Sequence, residues 1–165
     1  MKRLQASLTK KLESAARVAV LAVGSDLRGD DAAGLLAAEA LRALIAKAPP
    51  RIPVDLFIGG ATPENITGQI RRFAPSHLVI LDAADFGGKP GDLSIIDPAA
   101  ATSNMSGSTH GLPLAMLAQF LSSTIGCEVL LAGIQAASRE MGAPVCPAVR
   151  DASERLAGLL AEALA

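Results

Sequence analysis

The chain has 165 residues, half of them hydrophobic, with 15 basic and 16 acidic side chains and a formal net charge of −1. That balance excludes an intrinsically disordered chain and the basic footprint of a nucleic-acid-binding protein. Four Phe with no Trp or Tyr leave no aromatic platform for stacking bases.

The length fits one domain, residues 1–165, able to bury a sizeable core. The opening "MKRLQASLTKKLESAAR" is basic, but polar residues interrupt it before any apolar core, so it does not read as a signal peptide. The apolar run that follows is too short to span a membrane. A soluble, cytoplasmic protein is expected, without membrane insertion. Residues 1–16 form an N-terminal extension in which 5–16 are expected to make a short amphipathic helix.

Apolar runs and periodic segments then alternate. "VAVLAV" (18–23) reads as a buried strand bounded by Gly24. "DDAAGLLAAEALRALIAK" reads as a helix with Asp at its start and Pro49-Pro50 closing it. "VDLFIGG" (54–60) is a second strand, and "TPENITGQIRRF" (62–73) a helix with Thr62 as N-cap and Pro63 at its first position. "HLVILDAADFGG" (77–88) gives a third strand and "GDLSIID" (91–97) a fourth. "THGLPLAMLAQFLSSTIG" supplies a helix beginning near Leu112-Pro113, "CEVLLAGIQ" (127–135) the fifth strand, and "PAVRDASERLAGLLAEALA" the closing helix.

This alternation predicts an α/β three-layer sandwich, with a mainly parallel five-stranded sheet, one antiparallel strand and helices on both faces. The short 83–91 connection is expected to make strands three and four antiparallel neighbours.

Ligands of open α/β sheets bind at the carboxyl ends of the strands. In "GSDLRGDDAAG", Gly24 and Gly29 have the G-x-x-x-x-G spacing of a phosphate loop, but Asp30 and Asp31 stand where that motif has Lys and Ser/Thr. Two carboxylates repel a phosphate. Asp82 ends strand three, and His110 lies in the small-residue loop "SNMSGSTHGLP". Two carboxylates and an imidazole meeting at one edge suit a divalent cation, which offsets the crowding of negative charge.

Each residue also has a structural role open to it. A carboxylate at a helix start caps exposed N–H groups, and the expected division is Asp30 as cap with Asp31 turned toward the cleft. Asp85, in "DFGGKPG", is the expected turn former. His77, before its strand, falls at the opposite end of the sheet and reads as structural. Cys127 and Cys146 make neither a C-x-x-C pair nor a zinc-ribbon spacing, and neither is favoured as a nucleophile. Receiver domains share an acidic pair and a strand-end Asp, but need a Lys after strand five; here no lysine follows Lys89.

"GSDLRGDDAAG", "GGATPENI", "LVILDAADFGGKPGDLSIID", "THGLPL" and "LAGIQ" resemble the hydrogenase maturation endopeptidases, over nearly the whole chain from Arg17 onward. The "GIQ" and "PEN" segments are most similar to the branch serving formate-hydrogenlyase-type hydrogenases. The resemblance implies an α/β sandwich that removes a C-terminal extension from the large-subunit precursor of a nickel–iron hydrogenase once nickel is inserted. It implies that Asp31, Asp82 and His110 contact that nickel, which the substrate carries, with no permanently bound cofactor in the protease. Two positions depart from the family pattern: Ser25 stands where Asn is usual, and Ala32 where Gly is common. The alternatives are a non-catalytic metal-binding or assembly-chaperone member of the same fold, and a metal-dependent hydrolase of an unrelated small substrate.

Overall fold

The computed structural model describes residues 2–96, 98 and 111–165, with only the backbone described at 111–113. In chain order the elements are α1 (Lys2–Leu12), β1 (Val18–Val23), α2 (Ala33–Lys47), β2 (Val54–Gly60), α3 (Thr67–Phe73), β3 (His77–Ala84), β4 (Leu93–Ile96), α4 (Gly111–Ile125), β5 (Glu128–Gln135) and α5 (Pro147–Leu164). Short 3-10 turns, Gly29–Ala32 and Pro63–Ile66, lead into α2 and α3.

The sheet order is β2-β1-β3-β5-β4. β1 pairs in parallel with β2 and β3, and β3 with β5, whereas β4 runs antiparallel to β5. The interior strands β1 and β3 are buried along their whole lengths, as the apolar runs VAVLAV and LVIL within them require when helices cover both faces. The edge strands β2 and β4 are only partly buried.

Contrary to expectation, β3 and β4 do not pair; β5 lies between them. The β3–β4 connection does not fold back as a hairpin; it crosses the end of β5, where the Gly91 amide bonds the Gln135 carbonyl and the Gln135 amide bonds the Asp92 carbonyl. β5, apolar over most of its length, takes the inner position beside β3, and the half-exposed β4 is left at the edge.

Alternating side chains of the strands supply two cores. Val20, Val79, Leu81 and Ile134 face α1, α2 and α5, meeting Leu8, Leu12, Leu41, Leu156 and Leu160. Leu21, Leu78 and Ile80 face α3 and α4, meeting Ile70, Leu114 and Leu121. The N-terminal helix begins and ends earlier than expected, because Leu4, Leu8 and Leu12, four residues apart, form the stripe packed in the first of these cores. The expected helix over 62–73 is divided into the Pro63–Ile66 turn and α3, and the Thr62 side chain makes no capping hydrogen bond; its backbone carbonyl accepts the Asn65 amide instead.

Candidate active site

The site is built by the close approach of α2 to the carboxyl ends of β1 and β3. A Cβ at Gly34, in the first turn of α2, would press on the Leu81 carbonyl oxygen and lie 2.5 Å from that of Val23. Only glycine lets the helix sit this low, and the Gly29–Ala32 turn therefore rides beside the end of β3. Gly24, at φ 128°, leaves β1 in a conformation open to glycine, and a Cβ there would fall on the Asp31 carbonyl oxygen.

Asp31 and Asp82 are both buried in this crevice, 2 % and 6 % exposed. Asp31 Oδ2 accepts the Ser25 amide at 2.9 Å, and its Oδ1 lies 3.9 Å from Arg139 Nε. Asp82 lies on the α3/α4 face of β3, in alternation with Leu78 and Ile80, and its Oδ1 is buried without a hydrogen-bond partner. Burial, and secondly the charge of Asp31, push the Asp82 carboxyl up to about 7, against smaller opposing pulls from Arg139 and the Ala83 amide. A buried carboxyl poised near neutrality beside a second carboxylate can exchange a proton with a reacting group, or receive a cation.

Asp30 does not cap α2. The turn and the helix start have no side-chain cap hydrogen bond. The buried Asp30 carboxylate points to the β5–α5 loop, where Oδ2 accepts the amides of Ala137 at 2.7 Å and Ser138 at 3.1 Å, and Oδ1 accepts that of Cys146 at 2.6 Å. The Asp30 amide returns a bond to the Ser138 carbonyl, and the Gly142 amide bonds the Leu27 carbonyl. Two loops distant in sequence are thereby locked together.

That lock brings Arg139 to Asp31. Arg139 had no signal in the sequence, since it is a single cation in an irregular segment 108 residues after its partner (139 − 31). Gln135 is the other residue missed: buried at the end of β5, its Oε1 accepts the amides of Phe86 and Gly88, and its Nε2 donates to Asp85 Oδ1. It holds the loop leaving β3 in place. Asp85 acts as the expected turn former, accepting the Gly87 amide, and the Gln135 contact and that amide lower its carboxyl below the ordinary range.

His77 opens β3 at the amino end of the sheet, away from Asp82, with Nδ1 3.0 Å from Ser76 Oγ and Nε2 3.6 Å from Glu128. Cys127 is buried, and burial raises its thiol. Cys146 serves through its backbone, bonding Asp30 and preceding Pro147 at the start of α5. His110 lies outside the described residues; Gly111, the next residue, opens α4. Among the described residues no group of three His, Cys, Asp or Glu is placed to hold a metal. A groove of about 420 Å³ opens between the end of β1, the Pro63–Ile66 turn and the first turns of α4, walled by Val23, Pro63, Leu114, Met116 and Leu117 with Glu64 at its side.

Residues 37–163 match the family model described as hydrogenase maturation protease, HycI. The chain is 37% identical over 135 residues to the hydrogenase 3 maturation protease of Escherichia coli K12, covering 82% of this chain and 83% of that protein. The chain belongs to the hydrogenase maturation protease family.

Among solved members of this family, the fold is similar to that of the [NiFe] hydrogenase maturation protease HycI of Thermococcus kodakarensis, with a TM-score of 0.85, 35% identity, and 96% and 98% of the two chains covered. It is also similar to HybD of E. coli, with a TM-score of 0.67, 27% identity, and 86% and 88% covered. As a member of the family, the protein is an endopeptidase. Ser25 and Ala32 both border the crevice. Position 25 meets Asp31 through its backbone amide, whatever its side chain, and Ala32 is buried where the turn passes into α2. Among the described residues, no helix is long and apolar enough to cross a membrane.

Proposed function

We propose that this protease removes the C-terminal extension of a nickel–iron hydrogenase large-subunit precursor after nickel insertion, and that Asp31, Asp82 and His110 meet the precursor's nickel. The observation that carries this reading is the orphaned oxygen of Asp82. A buried carboxylate oxygen with no hydrogen-bond donor is costly, and it lies at the carboxyl edge of the sheet beside a second buried carboxylate. A cation delivered by the substrate satisfies both groups at once, so docking is favoured when the metal is present. Residues 1–165 act as one peptidase domain, with 1–16 as its N-terminal extension, in the cytoplasm.

The apolar groove beside Val23 suits the extended peptide that such a substrate brings, since its wall ends where the glycine loop begins. A carboxylate oxygen of the pair left free of the metal can take a proton from the attacking water and return it to the leaving amine. Holding the scissile peptide against it by the docked metal supplies the orientation that lowers the barrier. The test is a mobility assay on a purified precursor. The nickel-loaded form is expected to shorten and the nickel-free form to stay intact; equal cutting of both forms contradicts recognition through the metal.

A further inference from the structure

The acidic pair already faces a cation of the protein's own. Arg139 Nε lies 3.9 Å from Asp31 Oδ1, and the Arg139 side chain is 14 % exposed. This placement is fixed by the fold. Immediately before Arg139, the amides of Ala137 and Ser138 are tied to Asp30; three residues after it, the Gly142 amide is tied to Leu27. Gly29, at φ 53°, packs so closely that a Cβ there would lie 2.8 Å from the Ser138 carbonyl oxygen. The loop bearing Arg139 is clamped on both sides to the loop bearing Asp31.

The oxygens of the pair are distinct in what they meet. Asp31 Oδ2 is engaged by the Ser25 amide, which leaves Asp31 Oδ1 and the unpartnered Asp82 Oδ1 as the atoms turned to an incoming cation. Arg139 stands at the first of these. A guanidinium stays charged at any working pH, so it offsets two buried carboxylates where solvent cannot. A metal approaching the pair must displace that charge.

We propose that Arg139 is a resident counter-ion that keeps Asp31 and Asp82 closed to free divalent cations until the metal-bearing precursor displaces it. This rests on the reading that the pair receives the precursor's nickel. A hydrated ion from solution must shed water and expel the guanidinium with no other binding energy to draw on. Nickel already held in the precursor arrives with the protein–protein contacts that drive docking, so the same displacement is offset. Arg139 is thus a positioning and selectivity residue that acts through the carboxylates, in the manner of a repulsive element built against the wrong ligand.

The experiment is calorimetric titration of the full chain with nickel chloride. Arg139→Gln is expected to bind nickel at least tenfold more tightly than the wild type. Arg139→Lys, which keeps a charge on a similar stem, is expected to return to weak binding. Asp31→Asn added to Arg139→Gln is expected to remove the gain, which locates it at the pair. Arg139→Met, of similar length, serves if the glutamine variant fails to fold. Wild-type nickel affinity in a folded neutral variant overturns the proposal, as does a gain that survives Asp31→Asn. Processing separates the two levels. If Asp31→Asn still cuts the nickel-loaded precursor, the site reading itself is wrong. If it does not cut while Arg139→Gln binds nickel as the wild type does, only the role of Arg139 is wrong.

Discussion

The Cys146 amide donates a 2.6 Å hydrogen bond to Asp30 Oδ1 across 116 residues of sequence. With the Ala137 and Ser138 amides on Oδ2, it makes Asp30 the joint between the loop after β1 and the loop after β5. Asp30→Ala leaves the three part-buried amide bonds without their acceptor, and hydrogen bonds to a charged acceptor contribute about 1.5–3 kcal/mol each. A loss of about 3 kcal/mol is expected after local relaxation, measured by urea unfolding. Asp30→Asn, which keeps one acceptor oxygen, is expected to lose less. Equal stability of Asp30→Ala and the wild type contradicts the joint.

Gly34 sets how deeply α2 sits on the sheet. Gly34→Ala brings a methyl group against the Val23 and Leu81 carbonyls, and the helix must rise or tilt, carrying Asp31 away from Asp82. A destabilisation of about 2–4 kcal/mol is expected, in the range of an overpacked or strained core, with processing reduced further than stability alone explains. Gly158 in α5 is the control, since a Cβ there meets nothing within 4 Å. Gly158→Ala is expected to stabilise by about 0.5–1 kcal/mol through helix propensity, with processing unchanged. Thermal unfolding of the two variants checks both signs.

Sequence patterns made much of this arrangement legible in advance. β1 and the parallel core strands followed from unbroken apolar runs, and Asp82 from its place just after "LVIL". What failed had a common physical cause. Asp30 and Asp31 are adjacent, and local capping preferences assign one of them to the helix; instead the β5–α5 loop captured Asp30, a contact that no local rule encodes. Arg139 and Gln135 act only through that same long-range closure. β4 was misplaced because a short connection suggests a hairpin, whereas the competition for the inner edge of β3 was won by the more apolar β5.

Asp82 ties stability to pH. Its carboxyl lies at about 7 in the folded protein, and near 3.9 in an unfolded chain. The folded state therefore holds the proton more tightly, so this contribution to stability is complete below about pH 4 and is lost as pH rises through about 7. Asp82→Asn removes the ionisation. The variant is expected to exceed the wild type by on the order of 4 kcal/mol at pH 8, with the gap shrinking by more than half at pH 5. Denaturant midpoints across that range are the measurement, and a gap that does not vary with pH contradicts the burial argument.

The same titration bears on catalysis. If Asp82 meets the metal or accepts the proton of water, its ionised form is the active one. The kcat/KM of nickel-loaded precursor cleavage is then expected to rise from pH 6 to pH 8, with an apparent midpoint near that of Asp82 in the free enzyme. A profile that falls over this interval contradicts that assignment.

Single-turnover cleavage of nickel-loaded precursor by Asp82→Ala tests the reactive crevice most directly. With the protein folded and the precursor in excess over its binding constant, the rate is expected to drop by at least about 100-fold, as loss of a general base or metal contact produces. Cleavage at the wild-type rate would show that the chemistry lies elsewhere in the molecule.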